Sequence, residues 1–395
     1  MRLIGNKTRL VPTIEEFLAE RGVTSGSFLD VFAGSGAVAR HFRGRGFRVR
    51  ANDLLVASAT RQRAYLTLDG PPGLARVRRL PALRRFRRAW QDGGGSPAAA
   101  GLREVIAYLD RLPPAPGLFA RQYSEGGAAG RLYFSAENGA RIDAIHAALS
   151  GWWREGLLSD EELSVLLTAL LEAADRVANI SGTYGAFLKQ LQTSARERLS
   201  LRVPALEGGP RGRVYNEDAN RLVRRLKVDV LYLDPPYNQR QYAKNYHVLE
   251  VLAELHRVED LRAYEAGIYG KTGLRAFEDR LSSYCRKRQR RDAPSCAQAF
   301  ADLVASARAE HVVVSYNEEG ILSREEIGEA LARAAGTSSY DYERDHLEIG
   351  YRRFRSDSDR AGRRYQHLEG RARDEVAEWL FYVHKPTSRR ARRVA

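Results

Sequence analysis

Asp234-Pro-Pro-Tyr237 is the stretch whose residue types and spacing most directly suggest chemistry. The carboxylate of Asp234 is a hydrogen-bond acceptor. Pro235 and Pro236 lack a backbone N–H and stiffen the turn, so the carbonyls of Asp234 and Pro235 can point outward. Tyr237 adds a flat aromatic face one step further on. Acceptors beside a stacking ring suit the exocyclic amino group of a nucleobase. The plain alternative is a turn with a capping aspartate, and the tetrapeptide alone does not decide between the two.

A second group of residues suits a cofactor. Gly34-Ser35-Gly36 places glycines where backbone must turn tightly or approach a ligand closely. Asp30 precedes this turn, and Asp53 follows it by roughly twenty positions, the spacing of a carboxylate that binds ribose hydroxyls. The third glycine of a dinucleotide fingerprint is missing. With both aspartates in place, a nucleoside-bearing cofactor is the better reading. Lys7 stands at the start of a helix, where its charge opposes the macrodipole. A carboxylate ligand nearby would account for it; a solvated lysine is the ordinary alternative.

These residues need an α/β scaffold. Val228–Leu233 is rich in β-branched and aliphatic side chains and reads as a buried parallel strand that stops at the prolines. Ser27–Phe32 and Phe47–Ala51 read as strands around a helix begun at Ala37, and Leu10, Ile14, Phe17 and Leu18 give an earlier helix its apolar face. Residues 61–210 break this rhythm. Helical patterns run at about 101–111, 137–150 and 159–178. Arginines cluster at 76–88 around Phe86 and Trp90, a Gly/Ser/Pro stretch occupies 93–97, and Tyr123, Tyr133 and Phe134 flank glycine-rich loops. This segment is expected to be an inserted, mainly helical domain that faces nucleic acid. The α/β rhythm resumes at 211, with strands expected at 212–215, 311–316, 338–344 and 378–384. Ser323 and Glu326 form a capping-box pair, and 264–296 reads as loop. Basic clusters at 286–291 and 351–355 precede a basic tail at 386–395.

Length and charge narrow the class. The chain has 395 residues, 44% of them hydrophobic, with a formal charge of +15. Most of the positive charge is arginine, which suits bidentate phosphate contact and favours a polyanionic partner. No apolar run reaches the length of a membrane span. Cys285 and Cys296 lack metal-ligand spacing, so neither a disulfide framework nor a metal site is expected, and a cytoplasmic protein is.

Asp30-Val-Phe-Ala-Gly-Ser-Gly36 and Asp234-Pro-Pro-Tyr237, in that order with Lys7 ahead of them, resemble the amino-group DNA methyltransferases, in particular the alpha, Dam-like adenine-N6 class. The resemblance covers roughly 1–60 and 211–385. It implies a Rossmann-like class I methyltransferase sheet with a large, mainly helical insert at 61–210 for target recognition. It also implies S-adenosylmethionine as cofactor: Lys7 would meet the carboxylate, Phe32, Gly34, Ser35 and Gly36 would line the methionine part with Asp30 nearby, Asp53 would take the ribose, and Asp218 and Ala219 would meet the adenine. Asp234, Pro235, Pro236 and Tyr237 would hold a flipped base of double-stranded DNA. Many relatives carry an aromatic residue where this chain has Leu3. A site-specific adenine-N6 methyltransferase, in a restriction–modification system with a separate endonuclease or alone, is the leading expectation. Methylation of cytosine N4 or of RNA, and a non-catalytic cofactor-bound regulator, are the alternatives. Aspartate rather than serine at 234 favours adenine.

Overall fold

The computed structural model describes residues 7–86, 96–291, 293–352 and 375–385. Leu3, Arg87, Arg88, Trp90, most of the 93–97 stretch, residues 353–355 of the second basic cluster and the 386–395 tail lie outside the described residues. The chain divides into two compact units. One comprises Leu55–Arg213 with Ala243–Asp279; the other comprises 7–54, Val214–Tyr242 and 280–385. The 61–210 segment thus falls within the first unit, which also takes in Ala243–Asp279.

The second unit is built on seven strands: β1 (Ser27–Asp30), β2 (Arg48–Asn52), β3 (Arg213–Tyr215), β4 (Lys227–Leu233), β5 (Arg308–Asn317), β6 (His346–Arg352) and β7 (Glu375–His384). They lie in the order β3-β2-β1-β4-β5-β7-β6. β1 pairs in parallel with β2 and β4, and β4 with β5, whereas β7 runs antiparallel between β5 and β6. From β1 the sheet grows to β2 and β3 on one side, and to β4 and β5 on the other. Open α/β sheets bind ligands at such a reversal, outside the carboxyl ends of the strands. Asp30 ends β1 there, and Asp234 follows β4 there.

Alternation along the strands builds both layers of this sheet. Leu29, Val31, Leu231, Leu233, Val312 and Val314 pack with Leu222, Phe300, Leu303, Ile327 and Leu331 of the helices Ala219–Arg225, Cys296–Ser306 and Arg324–Ala335. On the opposite face Phe28 stacks on Phe42 of the helix Ala37–Gly44, with ring centroids 4.3 Å apart. Burying each such side chain stabilises the fold by about 1.5–3 kcal/mol. Ser295 with Gln298 and Ser323 with Glu326 close capping boxes on two of these helices. This is the expected Rossmann-like α/β arrangement.

Three expectations need correction. The first strand ends at Asp30, two residues early, because the Ala33 N–H turns to the Asn52 carbonyl (2.9 Å). No strand covers 338–344. Asp341 caps a short helix, Tyr342–Asp345, and the strand follows as β6. Tyr340 packs from this segment onto the sheet: its Oη donates to the Asp345 carbonyl and accepts the Tyr382 N–H of β7 at 3.0 Å. The 264–296 stretch also holds more than loop, since the helix Leu261–Ala266 enters it and short helical turns cover Glu278–Arg280 and Ser283–Cys285.

The first unit is mainly helical, with Val56–Leu66, Pro97–Asp110, Ala136–Arg154 and Asp160–Arg176 as its longest elements. Leu55 offers no capping side chain to the first of these. The buried Glu250 carboxylate replaces it, accepting the N–H groups of Val56 (2.9 Å) and Ala57 (2.8 Å). Tyr123, Tyr133, Phe134 and Tyr184 are fully buried. Tyr133 donates to the Tyr184 carbonyl at 2.7 Å, and Tyr123 to the Gly273 carbonyl at 2.7 Å. The loop aromatics are therefore core and offer no open stacking face. Arg76, Arg79 and Arg84 are exposed, whereas Arg78 pairs with the buried Glu104 at 2.9 Å. No helix among the described residues is long and apolar enough to cross a membrane.

Candidate active site

The glycine turn needs backbone that other residues avoid. Gly34 has φ +46° and Gly36 φ +74°, both left-handed. Gly36 caps the helix Ala37–Gly44, and the Gly36 N–H donates to the Ala33 carbonyl at 2.6 Å. Asp53, just past β2, accepts the Gly34 N–H at 2.8 Å and so pins the turn. Asp30 is buried beneath it, and its Oδ1 has no hydrogen-bond partner among the described residues. Burial, together with the charges of Asp234 and Asp53, holds the Asp30 carboxyl well above the usual range, against N–H groups of Ala39 and Phe32 that favour the charged form. Ser35 is half-buried in the turn, and Phe32 packs edge-on to Tyr284 at 4.8 Å.

Two asparagines carry the segment after β3 to this turn. Asn52 is buried and donates to the carbonyls of Val31 (3.0 Å) and Glu217 (3.1 Å). Asn216 donates to the carbonyls of Asp53 (2.7 Å) and Leu54 (3.0 Å). Asp218 follows, exposed, capping the helix Ala219–Arg225 by accepting the Arg221 N–H at 3.0 Å, with Ala219 buried beside it.

Across the sheet reversal, Lys7 is buried. Its ammonium meets Asp234 Oδ1 at 3.0 Å and Glu378 Oε1 at 2.7 Å. Its third N–H has no partner among the described residues. Burial disfavours the ammonium, but the two carboxylates outweigh it and hold Lys7 above the ordinary lysine range. Burial pushes the Asp234 carboxyl up to about 7; the Lys7 ammonium opposes that rise and the Glu378 charge adds to it. No hydrogen bond from a described residue reaches Asp234 Oδ2 or the carbonyls of Asp234 and Pro235. Pro235 is buried and Pro236 half-buried. Tyr237 is half-buried against the core, and its carbonyl accepts the Ile321 N–H at 3.0 Å.

Lys7, Asp30, the 32–36 turn, Asp53 and the 234–237 turn thus converge at the carboxyl ends of β1, β2 and β4. Asp218 and Ala219 join through the asparagine staples. The turn after β4 offers acceptors, and the glycine turn offers close-approach backbone beside the Asp30 and Asp53 carboxylates. The residues singled out for S-adenosylmethionine fit such a group: a lysine with a spare donor for its carboxylate, glycines at its flank and Asp53 at the end of β2. Sequence reasoning missed Glu378, Ser315, Asn52 and Tyr284. Glu378 carried a signal, since it is the one charge inside the apolar run Val376–Val383.

The family model for D12 class N6 adenine-specific DNA methyltransferases matches residues 3–69 and 117–328. The type II methyltransferase M.NlaIII of Neisseria lactamica is 34% identical over 361 residues, 90% of this chain and 93% of that protein. The type II methyltransferase M.FokI of Planomicrobium okeanokoites is 32% identical over 390 residues, 98% of this chain and 53% of that protein. The modification methylase StsI of Streptococcus sanguinis is 30% identical over 397 residues, 98% of this chain and 52% of that protein. The chain thus spans about half the length of the FokI and StsI relatives. No solved structure matches.

Proposed function

The chain belongs to the D12 class N6 adenine-specific DNA methyltransferases, and we propose on that premise that it methylates the N6 amino group of a specific adenine in duplex DNA, using S-adenosylmethionine. The observation that carries this reading is the turn after β4. Asp234 presents one oxygen held by Lys7 and one with no described partner, next to the Pro235 carbonyl and the Tyr237 ring.

The adenine amino nitrogen is a poor nucleophile because its lone pair is delocalised into the ring. Asp234 Oδ2 and the Pro235 carbonyl accept its two N–H groups, which localises the lone pair and stabilises the positive charge that develops on nitrogen. The cofactor supplies a sulfonium-bound methyl group, an electrophile whose sulfur leaves as a neutral thioether. Asp234 need not be a strong base, since the amino proton can leave after the N–C bond forms. Tyr237 stacks on the base, which must be flipped out of the duplex to reach this turn. Lys7 would hold the cofactor carboxylate with its third N–H, and Asp53 would hold the ribose.

The first unit, with its exposed arginines, is assigned target recognition, because base edges must be met by side chains outside the transfer core. The similarity to type II methyltransferases supports a role as the modification partner of a separate endonuclease. Sequencing modified bases in DNA from cells that express the protein tests the whole reading. N6-methyladenine at a defined site is expected. N4-methylcytosine, or no modified base, would replace the reading with one of its alternatives.

Asp53 gives a second expected result. Asp53→Ala removes both the ribose acceptor and the 2.8 Å pin on Gly34. S-adenosylmethionine affinity should fall about tenfold or more, the scale of a lost charged hydrogen bond. Calorimetry showing unchanged affinity would take Asp53 out of the cofactor site.

A further inference from the structure

Glu378 lies in β7, beyond the residues that the family model matches. The antiparallel register sets it opposite Asn317, at the carboxyl end of β5. Its side chain is 1% exposed, yet it carries a carboxylate. Oε1 takes the Ser315 hydroxyl at 2.5 Å and the Lys7 ammonium at 2.7 Å. Oε2 is buried with no partner among the described residues. Lys7 then reaches Asp234 Oδ1 at 3.0 Å. Ser315, Glu378, Lys7 and Asp234 form one chain of contacts from β5 through β7 to the turn after β4.

A charge buried this deeply is costly unless it is used in a fixed geometry. Asp234 needs such geometry, because its side chain is 18% exposed and has Lys7 as its only hydrogen-bonding partner among the described residues. Lys7 alone would draw Asp234 into a one-to-one ion pair. A second carboxylate on the far side of the ammonium shares it and sets where it stands.

We propose that Glu378 is a positioning residue for methyl transfer: anchored by Ser315, it fixes Lys7 so that the ammonium holds one oxygen of Asp234 and leaves the other for the target amino group. This rests on the adenine-N6 reading above. The other groups that act on Asp234 are Asp30 at the end of β1, Tyr232 within β4 and Tyr237 after it. Each keeps its place when only Glu378 is changed. Glu378→Gln keeps the shape and an acceptor for Lys7 but removes the charge. Lys7 then turns wholly to Asp234. The Asp234 carboxyl, now about 7, titrates lower, and its acceptor strength is spent on the ammonium.

The experiment has two readouts. In cofactor-free protein with isotope-labelled aspartate carboxyl carbons, the Asp234 resonance is assigned by its loss in Asp234→Asn and titrated by NMR. Single-turnover methylation of a duplex carrying the mapped site is then followed against pH. For Glu378→Gln we expect a lower Asp234 midpoint, an acid limb of the rate profile shifted the same way, and a plateau rate about tenfold below wild type, equivalent to ~1.4 kcal/mol of lost orientation. Glu378→Asp restores the charge without the reach, so the midpoint returns toward wild type while the rate stays low. Ser315→Ala, which leaves every charge in place, should lower the rate with the midpoint little changed, and it serves if Glu378→Gln does not fold. A folded Glu378→Gln with wild-type midpoint and rate overturns the proposal, as does a wild-type rate in Ser315→Ala should Glu378→Gln not fold. Wild-type protein that makes no N6-methyladenine would instead sink the parent reading.

Discussion

Asp234→Ala lowers the single-turnover rate of methyl transfer by about two to three orders of magnitude, the loss typical of one oriented hydrogen-bonding group that stabilises a developing charge. The fold survives, because Asp234 follows the last residue of β4 and contributes nothing to the apolar core. Lys7 keeps Glu378 as its partner at 2.7 Å, so no buried ammonium is stranded. Asp234→Asn retains an acceptor without the charge and falls between the two. Tyr237→Ala acts more on retention of the flipped base than on the transfer step, and Tyr237→Phe is milder because the ring remains. Rates on a duplex carrying the mapped site, with flipping followed by a fluorescent adenine analogue, separate these effects. Asp234→Ala turning over near the wild-type rate would place the catalytic centre elsewhere.

Lys7→Met has the second-largest expected effect, and it moves the Asp234 midpoint in the direction opposite to Glu378→Gln. It leaves Asp234 and Glu378 buried without their shared cation, and removing one member of a buried ion pair costs about 3–5 kcal/mol when the remaining charge stays ionised. Protonation of Asp234 relieves part of this cost, so its carboxyl rises above its value of about 7. At neutral pH the acceptor is then largely protonated, and the rate should drop tenfold or more and recover in part as the pH is raised. Stability follows the same linkage. A carboxyl whose pKa is raised in the folded state binds more protons there than in the unfolded chain. Its contribution is therefore present at low pH and lost as the pH rises through the folded value. Lys7→Met should melt at a higher temperature at pH 5 than at pH 8, by a wider margin than wild type. A rate profile and melting curves that match wild type at both ends would show that Lys7 does not govern Asp234.

The two substitutions bracket one physical question, which is how a carboxylate is kept both buried and available. Burial alone would protonate Asp234, and a lone ammonium would occupy it. Sharing Lys7 between Asp234 and Glu378 sits between these extremes, and Ser315 fixes the share.

The amino-acid sequence alone determined the parts of this site whose cause is local. Two prolines end β4 wherever they stand in a strand, so the position of Asp234 was legible. Gly34 and Gly36 marked a left-handed turn because backbone sterics act within a few residues. Periodicity separated the sheet from the mainly helical stretch, and Ser323 with Glu326 announced a helix start. Tertiary structure decided what depends on register and packing. Glu378 faces Lys7 only because β7 runs antiparallel beside β5 and sets it opposite Asn317. Nothing within its own strand says which neighbour it meets. Tyr123 and Tyr133 read as loop aromatics, but they are core, because the carbonyls of Gly273 and Tyr184 accept their hydroxyls inside the helical unit. Ala243–Asp279 joins that unit for the same kind of reason: the Glu250 carboxylate caps a helix that begins at Val56. A side chain's local preference is written in its neighbours along the chain, whereas its partner is chosen by strands and helices that only the folded sheet brings together.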